Sequence, residues 1–344
     1  MFQIGILHAF SHGGALAACK FGTVEYAVLF FIEALCMSSV NVFVLISGYF
    51  LSDGTVKISR IIHLCVQVMT YSIMNVLLFK IVVHGNLDLK ELIKAMTPLS
   101  SGVYWFASAY AIMLILSPVF NLAIRKMSES QLKATVILLV SLFSVYTTVL
   151  PWARAKLTDG YSFIWFSVLY FVSAYMRRCH FRLKKPLLSF FGMALIMLLS
   201  RIIIGVVTKQ VLNGMMGEGV LYTYSSLPCL LAAVALVGLF VDAKEKNASS
   251  VFAPLGRMVF GAYLISDHSI MRDKIWEMVN ITGAGTDLWH LLASAVIASI
   301  GILVVGSVVE MVRLKVIRLT KIDSLIAKSD QFSIRLSNIF DNEQ

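Results

Sequence analysis

Residues 27–51 read AVLFFIEALCMSSVNVFVLISGYFL and carry a single charged side chain, Glu33. The run exceeds the roughly 20 apolar residues that a helix needs to cross a bilayer. Its apolar positions are continuous, whereas a barrel strand would alternate, so the segment reads as a helix that satisfies its own backbone polar groups. Similar runs recur near 1–17, 59–83, 103–124, 133–150, 161–176, 187–208, 219–241, 254–270 and 288–312, giving about ten candidate spans. Composition agrees: 58% of the 344 residues are hydrophobic and 14% are charged, with a mean hydropathy of +0.83, far from the balance of a soluble domain. The expected fold class is all-α: a polytopic integral membrane protein with about ten transmembrane helices.

The polar segments between the runs leave no room for a second core. Residues 1–318 therefore read as one membrane domain and 319–344 as a polar cytoplasmic tail. A net charge of +10 raises the question of nucleic acid, but the basic residues sit in short loops, and most fall in alternate ones. Lys57 and Arg60, Arg125 and Lys126, Arg177, Arg178 and Arg182, and Arg313 and Arg318 belong to one set. The positive-inside rule accounts for this asymmetry, predicts an even number of spans with both termini in the cytoplasm, and makes the lipid bilayer rather than nucleic acid the partner. The five cysteines show no CxxC pair and no ligand spacing, so they read as reduced packing residues. No internal repeat of the kind found in paired transporter halves is present.

Charged and imidazole side chains at membrane depth are costly and mark function by default. His8 and His12 lie four residues apart, on one helical face. They admit three readings: zinc ligands, for which no HExxH partner is present; packing residues; or a neutral imidazole that deprotonates a hydroxyl. Glu33, Arg201 and Asp267, with His268 beside the last, all fall in the outer half of their spans. Glu33 and Arg201 read either as a structural ion pair or as walls of a polar pocket that receives a hydroxylated substrate. Aromatic residues around Tyr104 and Trp105 and from Tyr161 to Phe166 fit interfacial belts or a surface for a sugar ring. Asn41 and Asn75 fit interhelical hydrogen bonds.

The stretches ILHAFSHGG (Ile6 to Gly14), VNVFVLISGYFL (Val40 to Leu51), YWFASAYAIMLILSPVFN (Tyr104 to Asn121), FVSAYMRR (Phe171 to Arg178) and FGAYLISDHSIMRDKIW (Phe260 to Trp276) occur in an order that resembles the acyltransferase 3 family of bacterial membrane O-acyltransferases. The resemblance implies an enzyme of the bacterial inner membrane. It would transfer an acyl group, usually acetyl, from cytoplasmic acyl-CoA, a donor substrate rather than a bound cofactor, to a hydroxyl of a cell-envelope or exported glycan. It also implies that His8 is the catalytic base; no metal is expected, since no HExxH pattern accompanies the two histidines and the others are scattered. Ser47, Lys57 and Arg60 would lie on the donor side. His12, Glu33, Tyr104, Trp105, Arg201, Asp267 and His268 would lie on the acceptor side.

Two departures stand out. The family's first helix carries an Arg eleven residues before the His, a position that precedes Met1 here. Where relatives often read YLIHDN, this chain reads YLISDH, with Ser266 at the His position. If the missing Arg marked the cytoplasmic face, His8 would lie about 17 Å deep, near the midplane. The alternatives are a transporter or flippase of envelope precursors, and an N-terminally clipped, degenerate member without activity.

Overall fold

The structure, a computed structural model, describes all residues except 55–56, 85, 87, 151–157, 213–218, 242–251, 284 and 331–344. The described residues are helical, with no strand among them. Fourteen α-helices follow one another: α1 (Phe2–Ser11), α2 (Val24–Leu51), α3 (Ile58–Val82), α4 (Leu89–Met96), α5 (Trp105–Lys126), α6 (Glu129–Val140), α7 (Tyr146–Val149), α8 (Phe163–Arg178), α9 (Pro186–Leu212), α10 (Leu227–Val241), α11 (Phe252–Ser266), α12 (Arg272–Val279), α13 (Leu288–Leu319) and α14 (Ile322–Ala327).

Each of the ten expected runs contains a helix, but among the described residues six stretches are long and apolar enough to cross a membrane: α2, α3, α5, Glu129–Val149, Pro186–Lys209 and α13. The other four, α1, α8, α10 and α11, have 10, 16, 15 and 15 residues. At 1.5 Å per residue their described lengths come to about 15–24 Å, against a hydrocarbon core of roughly 30 Å. Local chemistry sets several of these limits. The Thr23 hydroxyl accepts from the Tyr26 N–H at 3.2 Å to start α2, and the Ser162 hydroxyl caps α8 through the Trp165 N–H. Pro228 stands in the first turn of α10, where its missing N–H costs nothing. Inside α5, Pro118 has no N–H to offer the carbonyl of Leu114, and the Ser117 hydroxyl donates to that oxygen at 2.6 Å instead.

α2 is central, packed against α1, α8, α9 and α10, while α13 closes the other side against α1 and α11. Small residues make these approaches possible, as in other membrane bundles. A Cβ at Gly306 would run into the backbone of Ala262 on α11, and one at Gly5 of α1 would lie 2.8 Å from the Ser299 Cβ on α13. The two asparagines act as the sequence predicts. Asn41 donates to the Tyr224 carbonyl and accepts from the Trp165 indole, and Asn75 donates to the carbonyls of Tyr71 and Leu264.

Sequence reasoning passed over one buried charge. Glu310 of α13 is 1% exposed and is held by Arg313, Gln67 and the Tyr71 hydroxyl. A buried carboxylate satisfied on all sides in this way is a structural clamp between α3 and α13. After α13 the chain turns back: α14 packs on α3, with Ile326 buried. The remainder of the expected tail, 331–344, lies outside the described residues.

Candidate active site

A cavity of about 330 Å³ opens between α1, α2, α5 and the turn that joins α11 to α12. The turn carries the chemistry. α11 ends at Ser266, whose hydroxyl donates back to the Ala262 carbonyl, and the chain then turns so that the N–H groups of Met271 and Arg272 bond the His268 carbonyl. This folds the chain into α12 at once and aims Asp267 and Arg272 at the same cavity wall.

His8 of α1 faces them. Its Nε2 lies 4.0 Å from Asp267 Oδ1, and Arg272 Nη1 lies 3.6 Å from the same oxygen. The Asp267 side chain is 5% exposed and that of His8 15%. The separation is too long for a direct hydrogen bond; through charge alone the carboxylate favours a protonated imidazole, while Arg272, beside the same oxygen, opposes it. His12, the C-cap of α1, meets the His8 ring edge to face at 5.5 Å. His8 Nδ1 is buried without a hydrogen-bond partner.

His8, His12 and Asp267 each have a ligand atom within 4.8 Å of the others, a grouping with the composition of a divalent-cation site. Arg272 argues against that use. Its guanidinium already sits beside the carboxylate that a cation would need, and two positive charges there would repel.

The predicted residues separate into three groups. His8, His12, Glu33, Trp105 and Asp267 line the cavity. Glu33 also lines a second cavity of about 460 Å³, which it shares with Arg201. The ion-pair reading of these two is not what the structure shows: the Arg201 guanidinium lies 3.7 Å over the Phe30 ring and donates to the Tyr26 hydroxyl at 2.7 Å, while Glu33 Oε2 is buried without a hydrogen-bond partner.

Tyr104 and His268 belong to the frame instead. The Tyr104 hydroxyl donates to the Leu264 carbonyl at 2.7 Å. His268 accepts from the Ile270 N–H at Nδ1 and meets the Ser72 hydroxyl at Nε2, at 3.2 Å, so both ring nitrogens are engaged. Neither residue lines either cavity. Ser47, Lys57 and Arg60 do not line them either. The Ser47 hydroxyl donates to the Phe43 carbonyl one turn nearer the site, and the rings of Phe43, Phe106, Tyr110 and Phe260 cluster beside the cavity floor.

Arg272 is the site residue that sequence reasoning missed. Its signal was faint: an Arg five positions after an intramembrane Asp, at the head of a short helix. The aromatic residues stand closer to function than an interfacial belt requires, since Trp105 stacks on Tyr224 at 5.7 Å and lies 4.4 Å from Tyr161, with all three rings in the cavity wall.

The model of a known family, the acyltransferase 3 domain, described as an acyltransferase domain, matches residues 5–311. The chain belongs to the acyltransferase 3 family. No curated protein and no solved structure matched it. The cavity holds group types that acyl transfer can use: an imidazole, which can act as a base, a carboxylate beside it, and a guanidinium, whose charge suits an oxyanion. The match runs from the helix that carries His8 to the helix that carries Glu310, so it includes every residue that lines the His8 cavity except Met1 and Ile4.

Proposed function

We propose that this acyltransferase is an O-acyltransferase of the bacterial inner membrane. It moves an acyl group, acetyl by preference, from cytoplasmic acyl-CoA to a hydroxyl of an envelope or exported glycan. The observation that carries the reading is the placement of His8, from the first helix, against Asp267 in the wall of a cavity within the bundle.

The His8 imidazole takes the proton from the acceptor hydroxyl as its oxygen attacks the thioester carbonyl carbon. Asp267 stabilises the imidazolium, and Arg272 stabilises the oxyanion of the tetrahedral intermediate. The C–S bond then breaks, the CoA thiolate leaves, and the imidazolium returns the proton to it. The products are the acyl ester and CoA thiol, with no covalent enzyme intermediate. In this reading about ten helical segments cross or enter the bilayer, both termini are cytoplasmic, and Ser47, Lys57 and Arg60 lie towards the donor.

Expression in a strain that lacks its own envelope acyltransferase, followed by mass analysis of the glycan, tests the proposal. The chain is expected to add acyl groups, and His8→Ala to lower that gain by about 10²–10⁴-fold, the usual worth of a general base. An undiminished gain in His8→Ala would overturn the mechanism.

A further inference from the structure

The cavity of His8 does not stand alone. Glu33 and Tyr222 form part of its wall and also part of the wall of the second cavity, so the two chambers abut across these side chains. The first, at about 330 Å³, lies at the lower end of the range for a small-molecule site, and the second, at about 460 Å³, is somewhat larger.

The second chamber has a distinct chemistry. Phe21, Tyr26, Phe30 and Tyr222 supply aromatic faces, and Arg201 is held among them, 3.7 Å above Phe30 and 5.4 Å from the Tyr222 ring. The Tyr222 hydroxyl donates to the Phe30 carbonyl at 2.9 Å, which fixes its ring at the junction of the two chambers. Glu33 brings a carboxylate with one buried oxygen that has no hydrogen-bond partner, a costly arrangement unless a ligand donates to it.

These groups select an occupant. An alkyl chain would leave the buried Glu33 oxygen without a donor, and an anion would meet the Glu33 carboxylate at the shared wall. A ring with several hydroxyls satisfies all of them: its O–H groups donate to the carboxylate, its oxygens accept from the guanidinium, and its C–H faces lie on the aromatic rings.

We infer that the second chamber holds the sugar ring next to the one being acylated. The acceptor is therefore a glycan of at least two rings, uncharged at that second ring. This inference rests on the glycan-acceptor reading above, and Glu33 and Arg201 act in it as determinants of acceptor length.

Binding separates the inference from the chemistry. The full chain in lipid nanodiscs would be titrated with methyl glycosides of glucose, galactose, mannose and N-acetylglucosamine and with disaccharides of the same sugars. At least one disaccharide is expected to bind tenfold or more tightly than its parent methyl glycoside. Arg201→Met, which alters the second chamber alone, and the conservative Glu33→Gln are each expected to bring that ratio near one. The His8→Ala form, assayed for transfer from radiolabelled acetyl-CoA, is expected to keep the ratio while losing transfer. A wild-type ratio of one across the panel, or an unchanged ratio in both variants, overturns the second-ring site and leaves the acyltransferase reading standing. A high ratio that both variants abolish, in a chain that transfers no acyl group to any of these sugars, upholds the site and counts against the transfer chemistry alone.

Discussion

Asp267 faces charge from two directions, with His8 Nε2 at 4.0 Å and Arg272 Nη1 at 3.6 Å from one carboxylate oxygen. Arg272 lowers the cost of burying the carboxylate, and in the proposed mechanism the carboxylate favours the protonated form of His8 in the transition state. Asp267→Asn keeps the shape and removes the charge. It is expected to reduce kcat for acyl transfer by about 10²-fold or more while leaving KM for the acceptor little changed, because the lost interaction belongs to the transition state. Steady-state rates with purified protein check this, and a kcat equal to that of the wild type would remove Asp267 from the mechanism. Residue identities alone revealed His8, Glu33 and Asp267 as costly intramembrane groups. They did not separate Asp267 from its neighbour His268, because the difference lies in which way each side chain leaves a tight turn: Asp267 enters the cavity wall, and His268 turns to Ser72 and Ile270.

The helices repeat the lesson with length in place of direction. Apolar runs predicted where helices would form, since burial and backbone satisfaction are local demands in a membrane, but they overstated several lengths because turns such as that at Asp267 and His268, after Ser266, end a helix inside the expected run. The tail shows the opposite case, a polar segment with a specific mooring. Asp330 receives hydrogen bonds from the Ser59 backbone N–H at 3.0 Å and from its hydroxyl at 2.9 Å, occupying the open N-terminus of α3. These bonds hold its carboxyl below the ordinary carboxylate range. A depressed pKa means that the contact is at full strength above the ordinary value and is lost as pH falls through the lowered one. Amide exchange at Ser59 reads this directly. Protection is expected at neutral pH, a fall in Asp330→Ala, and convergence of the two proteins under strongly acid conditions. Equal protection in both at neutral pH would show that the tail is not moored there.

For the molecule as a whole, the basic residues predict an orientation. Lys57, Arg125, Arg177 and Arg313 all stand at or near helix ends. The positive-inside rule predicts that those ends face the cytoplasm. Fusion of a fluorescent protein after Leu319 is expected to glow, and fusion of alkaline phosphatase at the same place to be inactive, while phosphatase inserted at Asn280 is expected to be active. The reverse pattern would invert the protein and place the acceptor chambers on the donor side.

The sequence by itself determined that the chain is a helical membrane protein, the places of its helical runs, its family and the candidate base. All of these follow from composition, hydropathy and motif order, which are properties of segments. Only the tertiary structure decided that His8 meets Asp267 and Arg272, that Tyr104 and His268 serve the frame, that Glu33 is shared between two chambers, and that Glu310 clamps α3 to α13. Those facts depend on the rotation of each helix about its axis and on the turns between helices, both set by contacts between residues hundreds of positions apart, such as Tyr71 with Glu310 and His8 with Asp267. In a chain this apolar, most helix faces are equally content in lipid or protein, so hydropathy carries little information about which face turns inward.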